Sequence, residues 1–277
     1  MNDDLFRNAA KNFYENAKEL YDEDVQRLLE EKGCGRMQLV ETSLNLRVEK
    51  GKQRSDYCLP KWVAEEQLSL GAEVYCNVEY MECCDAEYMV LFEQAGYIAY
   101  KALDSKHRGI LCMVKDYAVE SVGMFSDPNM LHLALTKDGK TVQIIVVRIL
   151  VANGGDDDYR DRRVQWDRVI DYISSIRKKS KNVVVVGDFN HGVISENYSG
   201  KPRRFFNFQI VNESLAKCGM KPADISGTSY REYQTPDHLF TTSGVKVIKA
   251  EFLELFGDNE IIGIPDHKLI VSHLIYK

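Results

Sequence analysis

Val183-Val184-Val185-Val186-Gly187-Asp188-Phe189-Asn190 reads as a strand that ends in polar chemistry. Four β-branched residues in succession leave no polar face, the pattern of a strand covered on both sides of a sheet. Gly187 permits a tight turn. Beyond it Asp188 and Asn190 stand two apart, and in an extended segment such residues leave the chain on the same side. A carboxylate and a carboxamide at the mouth of a sheet suit a hard cation or a phosphoryl group. An Asp-x-Asn turn has the same composition, because both residues form turns readily. This stretch alone leaves both open, and the rest of the chain decides.

The chain has 277 residues with a net charge of -6. That length suits one large two-sheet sandwich. The acidic balance argues against a protein that coats nucleic acid electrostatically but leaves room for a local basic groove. The first residues, Met1-Asn2-Asp3-Asp4, lack the basic and apolar regions of a secretion signal, and no apolar run reaches membrane-spanning length. The seven cysteines are odd in number and lie mostly in apolar contexts, as small core residues of a reducing compartment do. Cys83-Cys84 has no second pair at zinc-finger spacing. A cytoplasmic protein is expected; oligomeric state is not legible.

Taken in order, residues 3 to about 32 form a helical stripe carrying Leu5, Phe6, Ala9, Phe13 and Ala17. Residues 1–35 are therefore expected to be a helical arm packed on a domain spanning 36–277. Met37 to Val48 reads as a strand, 60–70 as a helix, and Ala72 to Glu79 as a strand closing on a carboxylate. Tyr88 to Ala95 reads as a helix. Strands follow to about Ala102, over Gly109 to Val114, over Met130 to Leu135 and over Val142 to Val151. Asp156-Asp157-Asp158 precede a helix ending in Arg177-Lys178-Lys179, a charge order that complements the helix dipole and marks capping, not a metal site. A helix over Ile210 to Cys218, strands near Tyr230, Asp237 and Val245, and a final strand after Pro265-Asp266-His267 complete the chain. Strands outnumber helices.

Polar residues thus recur at strand ends: Asn45, Glu79, Asp188 with Asn190, Asp237, and Asp266 with His267. Their order resembles the endonuclease/exonuclease/phosphatase superfamily, which includes deoxyribonuclease I, abasic-site endonucleases, neutral sphingomyelinases and inositol-polyphosphate phosphatases. Gly187-Asp188-Phe189-Asn190 matches its G-D-F-N motif, and Pro265-Asp266-His267 stands in place of S-D-H. Leu44-Asn45-Leu46-Arg47 resembles the first-strand N-x-R, Val78-Glu79 the strand ending in Q-E, and Asp237 opens D-x-[ILVF]-[FL]. The likeness runs from about Met37 to the C-terminus.

The resemblance implies a four-layer α/β sandwich, two mainly antiparallel sheets face to face with helices outside, and a Mg²⁺- or Mn²⁺-dependent phosphoesterase. Its expected substrate is nucleic acid or another phosphodiester. Glu79 is then the principal metal ligand, with Asp266. Asn45 and Asn190 donate to phosphate or orient ligands, and Asp188 aligns or deprotonates water. His267, supported by Asp237, is a general base or stabilises the phosphorane as imidazolium. The sequence does not choose between Asp188 and His267 as base. Arg47, Arg148, Arg203 and Arg204 are the candidate phosphate-binding cations. Arg148 is the main departure, since the family places His or Tyr there. Arginine stays protonated, so Arg148 either clamps a phosphate or is a charge where the strand leaves the sheet. Arg203-Arg204-Phe205-Phe206 interleaves cations with aromatics as a nucleic-acid surface does, though a loop packed onto the sandwich has the same composition. His191 reads as a turn residue, His238 as facing away from Asp237. Rival expectations are a phosphatase or phospholipase C-type enzyme on inositol phosphates or lipid, and an inactive sandwich that acts as an interaction module.

Overall fold

A computed structural model describes residues 33–85, 87–191, 202–231, 234–257 and 261–277. The expected helical arm lies outside them, apart from its last three residues. Two six-stranded sheets form the frame. The first orders its strands β11-β12-β1-β2-β4-β3: β1 (Gly35–Ser43), β2 (Val74–Met81), β3 (Ile98–Leu103), β4 (Arg108–Val114), β11 (Val245–Leu253) and β12 (Leu269–Tyr276). The second orders them β5-β6-β7-β8-β10-β9: β5 (Ala118–Phe125), β6 (Asn129–Lys137), β7 (Lys140–Arg148), β8 (Val183–Asp188), β9 (Met220–Pro222) and β10 (Asp237–Thr242).

The tetravaline run explains why the sheets sit as they do. Val184 and Val186 enter the layer between the sheets with Leu39, Val74, Ile144 and Leu239. Val183 and Val185 face outward onto Trp166, Ile173 and Val211. Those three belong to helices α3 (Asp156–Arg177) and α4 (Phe208–Lys217), whereas α1 (Lys61–Ser69) and α2 (Tyr88–Gln94) cover the outer face of the first sheet. The order helix, sheet, sheet, helix is the four-layer α/β sandwich expected from the sequence. Among the described residues, no helix is long and apolar enough to cross a membrane.

Each sheet has a single parallel pair near its centre, β1 with β2 and β7 with β8; the other pairs are antiparallel. Parallel neighbours need a crossover, supplied by the segments carrying α1 and α3. Two such units face to face bring four strand C-termini to one end of the molecule.

Several boundaries differ from expectation. β1 stops at Ser43, and Leu44-Asn45-Leu46-Arg47 is loop, with Leu46 held to Pro265 by one bridge. The polar amide of Asn45 therefore stands beyond the sheet instead of inside it. β5 was not legible in the sequence: it is an edge strand whose side chains are mostly exposed, so it lacks a continuous apolar signal. The aspartate triplet does open α3. Asp158 accepts from the backbone of Ala152 and Gly154 at 2.9 and 2.7 Å and pairs with Arg162 at 2.6 Å.

Candidate active site

The four parallel strands and the two that run back beside them deliver polar residues to one cleft of about 370 Å³. Its lining includes Asn45, Arg54, Glu79, Asp188, Asn190 and His267. Backbone pairing fixes their order. Arg148 lies opposite Asp188 across β7 and β8, and Asp188 lies opposite Asp237 across β8 and β10. On the other sheet the backbone N–H of Asp266 donates to the Asn45 carbonyl at 3.2 Å. Residues more than two hundred positions apart are thus neighbours.

Two of these side chains are aimed by unusual backbone. The β2–β4 register slips between Asn77 and Tyr80, and Glu79 within that bulge adopts φ 56°. Asn190 adopts φ 46°. Left-handed non-glycine residues cost about 1–3 kcal/mol and concentrate at functional sites. Gly187 serves the same turn: at φ +136° its α-carbon sits so close to Val147 that an added Cβ would lie 2.1 Å from that carbonyl oxygen.

Glu79 is flanked by cations. Its Oε1 accepts from Arg148 at 2.6 Å and its Oε2 from Arg54 at 3.0 Å. Burial alone would raise its pKa, but Arg148 and then Arg54 outweigh burial and hold it down at about 2. Asp237 is fully buried and accepts from His267 Nδ1 through Oδ2 at 2.8 Å. Burial works against a charged His267, yet Asp237 first, then Asp188 and Asp266, lift its pKa to about 10. Asp188 shifts opposite to Glu79. Burial and the neighbouring Asp237 raise it to about 7. Asp266 is raised as well, by burial foremost and by Glu79, against the pull of His267.

Both amides serve carboxylates. Asn45 Nδ2 donates to the two oxygens of Asp266 at 3.0 Å each. Asn190 Nδ2 donates to Asp188 at 2.6 Å and to the Ile149 carbonyl at 2.9 Å, and its backbone N–H also donates to Asp188.

The oxygen donors fit a hard divalent ion. Glu79 and Asp266 supply carboxylates, and the buried Oδ1 of Asn45 has no hydrogen-bond partner. Mg²⁺ is held in such all-oxygen sites by one or two carboxylates. Among the described residues no group of three Asp, Glu, His or Cys side chains is assembled around one point, and Glu79 must release a guanidinium to accept an ion.

Two of the expected phosphate-binding cations stand elsewhere. Arg47 is anchored through its backbone to Gly263 and Ile264 and does not line the cleft. The strand ends before it, so the alternation that would aim it inward is lost. Arg204 lies on Phe205 and pairs with Asp156 at 3.4 Å. Arg203 does line the cleft. Phe206 is buried against Trp166, so the Arg–Phe segment mainly packs onto α3. His191 is no surface turn residue: it is fully buried, with Nε2 2.7 Å from Nε2 of His238, which faces away from Asp237. His132 contacts Tyr172 and Gln143, and His107 pairs with Glu82, partners the sequence did not reveal. Three cleft residues were not among those expected from the sequence. Arg54 opens a single 3-10 turn (Arg54–Asp56), the Tyr230 and His267 ring centroids lie 4.6 Å apart, and Arg162 donates to the Asn190 carbonyl at 2.6 Å. Only Arg162 had a possible signal, its position four residues after Asp158.

No protein-family model and no curated protein matches the sequence. Solved structures do match by fold. ANGEL2, described as a 2',3'-cyclic phosphatase in complex with adenosine-2',3'-vanadate, superposes with TM-score 0.62 at 13% identity, over 88% of this chain and 96% of that one. TDP2 from D. rerio complexed with single-strand DNA product gives 0.59 at 12% identity, over 87% and 99%. An endonuclease/exonuclease/phosphatase protein from Bacteroides vulgatus gives 0.57 at 15% identity, over 88% and 100%.

Proposed function

We propose that this chain, which has the endonuclease/exonuclease/phosphatase fold, is a divalent-metal-assisted phosphoesterase that cleaves a phosphodiester in a nucleotide-containing substrate. The observation that carries the reading is the meeting of Asn45, Glu79, Asp188, Asn190 and His267 in one cleft, with Asp237 and Asp266 bonded directly behind them. Glu79 and Asp266 would hold the metal, Mg²⁺ or Mn²⁺. When bound there, such an ion polarises the phosphoryl oxygen and eases departure of the leaving oxygen.

The protein's own groups divide the remaining work by their proton affinities. Asp188, near neutrality, suits a base that takes a proton from the attacking water. Asn190 holds its carboxylate in place through two donors. His267, protonated across the neutral range, suits a cation that stabilises the anionic transition state or donates a proton to the leaving group, with Asp237 fixing its ring. The proton balance therefore favours Asp188 over His267 as base. Arg148 stays charged. It would exchange Glu79 for a phosphoryl oxygen and so neutralise charge at the position where the resemblance implies His or Tyr.

Arg54, Arg162 and Arg203 around the cleft suit a polyanion, and the nucleotide-containing ligands of two neighbours, adenosine-2',3'-vanadate on ANGEL2 and a single-strand DNA product on D. rerio TDP2, support the same substrate class. The test is a panel of single-stranded DNA, single-stranded RNA, a 2',3'-cyclic nucleotide and an inositol phosphate, with Mg²⁺ or with chelator. Metal-dependent cleavage of a nucleotide substrate is expected. Turnover of the inositol phosphate alone would move the assignment to a phosphatase. Inertness toward all four would leave an interaction module.

A further inference from the structure

Glu41 is a fully buried carboxylic acid in the middle of the molecule, and the chemistry above does not use it. It lies on β1 two residues beyond Leu39, on the face that enters the apolar layer between the sheets, beside Cys76 of β2 and Ile270 of β12. Neither of its oxygens has a hydrogen-bond partner. An ionised carboxylate without a partner in such a place costs several kcal/mol. The groups that bear on Glu41 all oppose its ionisation: burial first, then Asp237 of β10, Asp188 of β8 and Cys76. Ser272 of β12, in register with Leu39 and diagonal to Glu41, spends its hydroxyl on the Leu39 carbonyl. Glu41 is therefore a neutral acid carrying one O–H with nothing to receive it.

The complementary vacancy is on Asp237. Its Oδ2 accepts from His267, but its Oδ1 is buried and unpartnered. The same layer thus holds one surplus donor and one surplus acceptor, each costly when left alone. No bond joins them in the structure; forming one requires the Glu41 carboxyl to turn toward β10 or a water to bridge the two groups. We propose that Glu41 is a positioning residue whose O–H braces Oδ1 of Asp237 from between the sheets and so fixes the carboxylate that orients His267. This deepens the proposed reading of Asp237 and His267 and rests on it for its effect on turnover.

Infrared difference spectroscopy of the metal-free protein against Glu41→Gln tests the bond without a substrate. A protonated-carboxyl band at pH 7 that is lost in Glu41→Gln and moves in Asp237→Asn is expected. An ionised Glu41, or a band that Asp237→Asn leaves in place, overturns the proposal whatever the enzyme's substrate. On a substrate found by the panel above, Glu41→Leu should lower kcat about tenfold, the scale of one unsatisfied buried acceptor, with KM changed less than about twofold. Glu41→Gln, which keeps an N–H donor, should rescue most of that loss. Equal rates for Leu and Gln, whether high or low, would overturn the role. A wild-type protein inert toward every substrate would count against the phosphoesterase reading, while the infrared result would still decide the bond.

Discussion

Replacing Asp188 with Asn is expected to change stability in opposite directions at the two ends of a modest pH range. Asp188 is 2% exposed and its carboxyl is raised from 3.8 to about 7. That gap of about three units corresponds to about 4 kcal/mol at about 1.4 kcal/mol per unit. The sign follows from proton binding. The folded state keeps a proton that the unfolded chain releases near pH 4, so wild-type stability falls as pH rises from about 4 to 7 and stays low above that. Asn carries no such proton, and this loss vanishes. Against the gain stands hydrogen bonding. Asp188 accepts from Asn190 N at 2.9 Å and Nδ2 at 2.6 Å, and an amide turned either way presents its NH₂ to one of those donors, at a cost of about 1–3 kcal/mol. The wild type has already lost about 1 kcal/mol of that stabilisation at pH 4.5, so the variant should be less stable by up to about 2 kcal/mol there and more stable by about 1–3 kcal/mol at pH 8. His267 stays protonated in the folded state over this range. Urea unfolding at four pH values in chelator, with linear extrapolation, measures the difference. A difference that does not vary with pH would refute the buried, proton-holding Asp188.

Three further outcomes follow from named contacts. His267, raised from 6.5 to about 10, contributes stability that is full below pH 6.5 and lost as pH climbs toward 10; unfolding of His267→Gln should show a flatter slope over that window. Gly187→Ala should cost about 2–4 kcal/mol in urea unfolding, because its Cβ meets the Val147 carbonyl at 2.1 Å; a neutral result would mean that β7 and β8 are farther apart. Glu79→Gln should destabilise by about 1–3 kcal/mol, less than a fully enclosed pair because the Arg54 side chain is 36% exposed, and should weaken Mg²⁺ binding by calorimetry.

The parts of the fold written by burial were legible. β8 announced itself through four valines, and the strand-end carboxylates through their order along the chain. What was not legible depended on geometry that alternation does not encode. Asn45 lies past the end of β1, and Glu79 is aimed by a bulge. β5 shows mostly exposed side chains at an edge. Arg54 reaches Glu79 from a single 3-10 turn too short to carry a pattern of its own, and Arg47 missed the cleft once the strand ended early. Arg148 was the informative departure. Its residue type already excluded a neutral acid, and the structure places its guanidinium on Glu79. Glu41 sat unremarked inside a strand, since a single charge in an apolar run gives no sign of what lies across the sheet interface.

The most direct measurement is the steady-state rate of phosphodiester hydrolysis with Mg²⁺ by wild type, Glu79→Gln, Asp188→Asn and His267→Ala, each first confirmed folded. A cleft built around these groups predicts that every substitution lowers kcat/KM by about a hundredfold or more. Four equal rates would mean that the side chains gathered at this end of the sandwich do no hydrolysis.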